Sequence, residues 1–149
     1  IEYLHSLDII HCDIKPENIV VQSFHPMTVK LIDFGSACLA DEADMINCDI
    51  GTPIYRTPEL LAGMNLDSSV DIWAFACVLA ELATNRVLFE GSTSLEILSR
   101  IHRTVGTSVC LLLRQLSASN MFAEALTSTR RPTAASNAGT RSTHAAVPA

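Results

Sequence analysis

At 149 residues with 48% hydrophobic content, the chain suits one domain able to bury about 68–70% of its extended surface. Residues 1–99 carry fifteen acids against four Lys/Arg and residues 100–149 six Arg against Glu124, for a net charge of −6; so acidic a body argues against general nucleic-acid binding. Five cysteines without a C-x-x-C pair argue against a disulfide framework or zinc site and for free thiols in a reducing compartment.

The chain opens at Ile1, and Tyr3, Leu4 and Leu7 read as the last turns of a helix whose start lies upstream. Ile9-Ile10 forms a short extended piece entering the loop His11-Cys12-Asp13-Ile14-Lys15-Pro16-Glu17-Asn18. Two β-branched runs follow, Ile19-Val20-Val21 and Val29-Lys30-Leu31-Ile32, with Ser23, His25 and Pro26 between them. This pattern predicts an antiparallel hairpin. A hairpin sets the residue before its first strand beside the residue after its second, and paired strands lie about 4.7–4.9 Å apart. Asn18 and Asp33, the latter opening Asp33-Phe34-Gly35, could therefore converge on one hard cation such as Mg²⁺, which takes oxygen ligands at about 2.0–2.1 Å.

Asp13 and Lys15 add a possible proton acceptor and a point positive charge on the same loop. Taken singly, Asp13 could cap a turn, Lys15 could be a solvated charge, Asn18 could brace the hairpin and Asp33 could start a turn. Together, a cation, an acceptor and an ammonium group are what phosphoryl transfer asks of a protein, since its catalysis is mostly positioning and charge neutralisation.

After Gly35, the acidic stretch with Asp41, Glu42, Asp44 and Asp49 fits neither a helix nor a strand pattern. Ser68 and Asp71 suggest a capping box, so a helix is expected from near Ser68. Ile72, Phe75, Leu79 and Ala83 follow helical spacing, and Val70, Trp73, Cys77 and Val78 make the opposite side apolar too, which predicts a helix buried all round. Its apolar run, Ile72 to Ala80, falls far short of the roughly 20 residues of a membrane span. No secretory signal opens the chain, so an intracellular protein, cytoplasmic or nuclear, is expected. Thr93 and Glu96 start another helix, with Leu95, Leu98, Ile101 and Val105 on one face. Leu111-Leu112-Leu113 could start a further one. Residues 123–149 are rich in Ser, Thr, Ala, Asn and Gly, with no aromatic after Phe122, and are expected to be a disordered tail.

The H-x-D-x-x-x-x-N spacing of His11, Asp13 and Asn18, followed by Asp33-Phe34-Gly35, resembles the catalytic and metal-binding loops of eukaryotic protein kinases. Gly51-Thr52-Pro53-Ile54-Tyr55-Arg56-Thr57-Pro58-Glu59 is similar to the end of their activation segment, with Thr57 in place of the usual Ala, and Asp71-Ile72-Trp73 resembles the start of their central helix. The resemblance implies Asp13 as catalytic base, Lys15 following the γ-phosphate, and Mg²⁺ on Asn18 and Asp33. It implies Thr52 touching the catalytic Asp and Lys, Glu59 paired with a distant Arg (Arg131-Pro132-Thr133-Ala134 offers one), and Asp71 holding the catalytic-loop backbone. His11 and Gly35 would be scaffold. ATP and Mg²⁺ would be the cofactors and a protein the substrate, with no nucleic acid and no membrane among the partners.

His11-Cys12-Asp13, the Leu31 to Ala37 run and Tyr55-Arg56 are similar to the dual-specificity tyrosine-regulated and homeodomain-interacting kinases of the CMGC group. Cys12 replaces the Arg that would hold an activation-loop phosphate, and Asp49 stands where those kinases have a phosphotyrosine contacting the Arg matching Arg56. Asp49 is therefore expected to give Arg56 a fixed negative charge; an exposed pair of this kind is worth about 0–1 kcal/mol. The chain carries no G-x-G-x-x-G and no V-A-I-K lysine. The expected fold is thus mainly α with a small β-hairpin, a partial kinase-like fold comprising the C-lobe only, with residues 1–122 as the kinase fragment and 123–149 as the tail. The expected activity is ATP-dependent phosphorylation of protein serine/threonine hydroxyls, with the C-lobe fragment expected to be inactive in isolation for lack of the N-lobe. A non-catalytic pseudokinase-like binding module is the alternative. A metal-dependent phosphohydrolase using His11, Asp13 and Asp33 would leave Thr52 to Glu59 unexplained.

Overall fold

The computed structural model describes residues 1–45 and 49–106. Leu111-Leu112-Leu113, Arg131 and the segment 123–149 lie outside these described residues. The elements run α1 (Glu2–His5), β1 (Ile9–Ile10), β2 (Ile19–Phe24), β3 (Met27–Leu31), β4 (Cys38–Leu39), α2 (Pro58–Leu61), α3 (Ser69–Thr84) and α4 (Ser94–Val105), with 3-10 turns at Pro16–Asn18, Ala40–Met45 and Pro53–Tyr55.

The predicted hairpin forms, with Ile19 opposite Leu31 and Val21 opposite Val29, and a bulge between Val21 and Ser23. The Ile32 N–H donates to the Asn18 carbonyl (3.0 Å), carrying the ladder one step past the strands. Among the described residues the hairpin is one of two sheets: β1 and β4 also pair antiparallel, Ile9 with Leu39 and Ile10 with Cys38. The fold class read from the sequence, mainly α and C-lobe-only with a single small hairpin, is corrected on this point. Strands of two residues are too short to show an alternation, so the β1–β4 pair left no periodic signal.

α3 and α4 begin where expected, though not both for the expected reason, and α2 is a helix that the sequence reading did not include. At α4, Thr93 Oγ1 accepts from Glu96 N (3.2 Å) and Glu96 Oε2 accepts from Ser92 N (2.8 Å), a reciprocal cap of the kind its sequence implies. At α3 the Ser68 side chain makes no cap. Asp67 Oδ1 accepts the Ser69 N–H instead (2.7 Å), because Asp71 is turned towards the His11 loop. Thr57, the departure from the usual Ala, caps α2 by accepting from Leu60 N (3.1 Å).

α3 is the beam on which the rest is mounted. Ala74, Cys77 and Val78 share a core with Ile14 of the His11 loop, Tyr55, and Ile97, Leu98 and Ile101 of α4, and Trp73 stacks on Phe89 (5.6 Å between ring centres). Val70 joins a second cluster with Ile10, Leu60 and Leu66. Burial all round is not observed: among the described residues, Ile72 is 55% and Leu82 71% exposed. The elements described pack on one side of α3 only, and its apolar composition marked both sides alike.

Candidate active site

The loop between β1 and β2 is fixed from below by one carboxylate. Asp71, 1% exposed, accepts the His11 N–H at Oδ2 (2.8 Å) and the Cys12 N–H at Oδ1 (2.9 Å), and His5 Nε2 lies 2.9 Å from Oδ2. A carboxylate only accepts, so the His5 proton sits on Nε2. Anchoring these two amides lets Cys12 hold a φ of +65°, which is uncommon for a residue with a Cβ. His11 is fully buried. Its Nε2 faces the Ile32 carbonyl (3.2 Å), which places the ring proton there and leaves Nδ1 for the Asp13 N–H (3.4 Å). Its ring also meets Phe34 edge-on at 4.9 Å, tying the loop to the Asp33-Phe34-Gly35 turn.

On this base, Asp13, Lys15, Asn18 and Thr52 come together. Asp13 Oδ1 accepts from Thr52 N (2.9 Å) and Thr52 Oγ1 (2.7 Å). Its Oδ2 accepts from Lys15 Nζ (2.7 Å) and Asn18 Nδ2 (3.2 Å). Lys15 Nζ also donates to Thr52 Oγ1 (3.1 Å), so the threonine hydroxyl takes from the ammonium and gives to the carboxylate. Burial pushes the Asp13 carboxyl up; the hydrogen bonds from Lys15 and Thr52 outweigh it and hold the group below the usual carboxylate range. Lys15 is raised in turn, first by its bond to Asp13, with Glu17 and Asp33 adding to it through space. A carboxylate offers about four acceptor positions, and here four donors occupy them.

Asn18 is buried and also donates to the Asp13 carbonyl (2.8 Å). Both donations fix the amide's orientation, so its oxygen points away from Asp13. Asp33 follows Ile32, the residue bonded to Asn18, and is exposed, with φ +62°; its Oδ1 accepts the Gly35 N–H (3.2 Å). Among the described residues no cluster of three or more His, Cys, Asp or Glu side chains could hold a metal. A cation held by one or two protein groups together with phosphates and waters, as Mg²⁺ is, would not need such a cluster.

Arg56 Nη1 reaches Asp49 Oδ1 (2.8 Å). Glu59 sits apart from this group, on α2, in a recess it shares with Met64, Asn65 and Asp67; Arg131, the one candidate partner named for it, lies outside the described residues.

Three contacts escaped the sequence. His5 has no ligand spacing in the sequence, yet bonds Asp71. Cys12 and Cys38 were read as unrelated thiols, but their sulfurs are 3.7 Å apart, and burial raises both above the ordinary thiol range. Tyr55 Oη donates to Glu81 Oε2 (2.6 Å), which, after burial, keeps the phenol raised. Only the β1–β4 pairing signals the cysteine contact, and the sequence did not show it.

Residues 1–137 match the sequence pattern described as the protein kinase domain. Similar curated proteins include the stress-activated protein kinase jnk-1 of Caenorhabditis elegans, 44% identical over 107 residues, covering 72% of this chain and 23% of the relative. The dual specificity tyrosine-phosphorylation-regulated kinase 3 of Homo sapiens is 37% identical over 122 residues, covering 82% of this chain and 20% of its own length. The dual specificity tyrosine-phosphorylation-regulated kinase 2 of Drosophila melanogaster is 40% identical over 103 residues, covering 69% and 14%. The chain thus spans less than a quarter of each of these three. The domain match starts at residue 1 and runs to 137 as a single protein kinase domain, with small sheets in its N-terminal part. The C-lobe-only fold class is therefore corrected to a partial protein kinase fold; the motifs marked positions inside the domain and not its extent. The chain belongs to the protein kinase family.

Proposed function

We propose that this chain carries the phosphoryl-transfer site of a CMGC-type kinase acting on protein serine/threonine hydroxyls, with ATP as donor and Mg²⁺ on Asn18 and Asp33. The observation that carries the reading is the saturated Asp13 carboxylate. An incoming hydroxyl can reach Asp13 only if one of the four donors leaves. Thr52 N is backbone, Thr52 Oγ1 is on the same short residue, and Asn18 is buried and doubly tied. Lys15, on a flexible four-carbon stem at the surface of the group, is the donor free to leave, and an anionic phosphate oxygen is what would draw an ammonium off a carboxylate. Its departure frees Oδ2 to accept the hydroxyl proton and removes the nearest positive charge, so the Asp13 carboxyl rises and becomes a better base. Mg²⁺, when bound, would neutralise phosphate charge; Asn18, its amide nitrogen held by two bonds to Asp13, and Asp33 are the residues that would hold it. The relatives' names support protein kinase chemistry, and an intracellular setting accords with free thiols.

The test is phosphoryl transfer from labelled ATP to a serine- and threonine-bearing protein by the 149-residue chain and its Asp13→Asn form. Label on serine or threonine with the parent chain and its loss in Asp13→Asn is the expected result. Equal labelling by both would contradict the assignment of Asp13, and labelling confined to tyrosine would contradict the hydroxyl class.

A further inference from the structure

Thr52 supplies two of the four donors on Asp13, and residues 49–52, which lead into the Pro53–Tyr55 turn, carry no helix or strand. Its register against the catalytic loop must therefore be set by particular contacts. The residue before it, Gly51, has φ +73° and lies so close to Cys12 that a Cβ would collide with the Cys12 carbonyl oxygen. The Gly51 carbonyl accepts from Arg56 Nη2 (2.6 Å) and Arg56 Nε (3.1 Å), while Arg56 Nη1 takes Asp49 Oδ1 (2.8 Å). Arg56 itself ends the turn, its N–H on the Pro53 carbonyl (3.1 Å). One guanidinium thus closes a ring from Asp49 through Gly51 and Thr52 to Arg56, with its planar fork oriented by the carboxylate on one edge and gripping a carbonyl with the other.

We propose that Asp49 and Arg56 are positioning residues: together they clamp the Gly51 carbonyl and so hold the Thr52 N–H and hydroxyl on Asp13. The proposal rests on the phosphoryl-transfer reading only for the purpose of the clamp; the clamp itself is a matter of loop geometry. Arg56 is 11% exposed and Asp49 80%, so the charge pair sits at the surface and should respond to salt, whereas the bonds to Gly51 are more sheltered.

The readout is amide hydrogen exchange of Thr52 in the full 149-residue chain, with Val78 in α3 as the fold control. In Asp49→Asn, Thr52 protection is expected to fall about two- to fivefold at low salt, the range open to an exposed ion pair, with Val78 unchanged. Asp49→Glu should restore it. In Arg56→Gln the loss should exceed about tenfold, because charge-assisted bonds to Gly51 go as well. Added salt should lower Thr52 protection in the parent chain and leave Asp49→Asn nearly flat, which a merely structural loop contact would not do. Unchanged Thr52 exchange in Asp49→Asn, or an equal salt response in both chains, would overturn the clamp. If Arg56→Gln loses Val78 protection too, the exposed Asp49 site decides alone. Phosphoryl transfer measured on the same samples separates the two claims: a Thr52 response without transfer leaves the clamp standing and removes the proposed function, and transfer that needs Asp13 without a Thr52 response does the reverse.

Discussion

The two aspartates of the site are built in opposite ways. Asp13 is half-buried and met by four donors from Lys15, Asn18 and Thr52, on a loop whose backbone is pinned by a fully buried carboxylate. Asp33 is exposed, turned into the left-handed region, and bonded through one oxygen to Gly35 in its own turn. The first is organised by the protein before any ligand arrives; the second offers charge to whatever comes. On the phosphoryl-transfer reading proposed above, whose chemistry is positioning plus neutralisation, the group that would meet the hydroxyl must be placed accurately. A carboxylate that meets a hydrated cation needs only to be available.

That contrast can be broken most forcefully at Asp13. Replacing it with Asn keeps the shape and removes the charge that Lys15 and Thr52 answer, and phosphoryl transfer is expected to fall about 10²–10⁴-fold in single-turnover kinetics. Next comes the pin beneath it. Asp71→Ala would orphan the His11 and Cys12 N–H groups, and with unsatisfied buried donors costing about 1–3 kcal/mol each, a loss of about 3 kcal/mol is expected in denaturant unfolding. A smaller effect sharpens the comparison through pH. The Asp13 carboxyl is depressed in the folded chain, so its contribution to stability is fully present above the ordinary unfolded value of about 3.9 and is lost as pH falls through the lower folded value. The stability difference between the parent chain and Asp13→Asn should therefore shrink on acidification below about pH 4. Smallest of all, Asp33→Asn in the absence of any ligand should leave stability within about 0.5 kcal/mol, as for exposed side chains without buried partners.

The loop motifs were legible because each is local. His11 to Asn18, Asp33 to Gly35 and Gly51 to Glu59 carry their chemistry in contiguous residues, and a hairpin suffices to bring the first two near each other. What escaped depends on residues far apart in the chain. His5 and Asp71 are 66 positions apart, and Cys12 and Cys38 are 26 apart, joined through strands of two residues. Tyr55 and Glu81 meet only because α3 packs beneath the turn. The burial of α3 was misjudged for a related reason: composition says which residues can be buried, and only the packed neighbours decide which are. Asp71 shows both sides: it stands at the start of α3 as the spacing predicts, but its carboxylate takes the His11 and Cys12 N–H groups, the contact the resemblance implies, and not the helix cap that the spacing implies.

The difference between the two aspartates is tested most directly by thermal shift with ATP, with and without Mg²⁺, on the parent chain, Asp13→Asn and Asp33→Asn. The Mg²⁺-dependent part of the ATP shift is expected to survive in Asp13→Asn and to vanish in Asp33→Asn. The same Mg²⁺ response in Asp33→Asn as in the parent would contradict the division of labour proposed for this site.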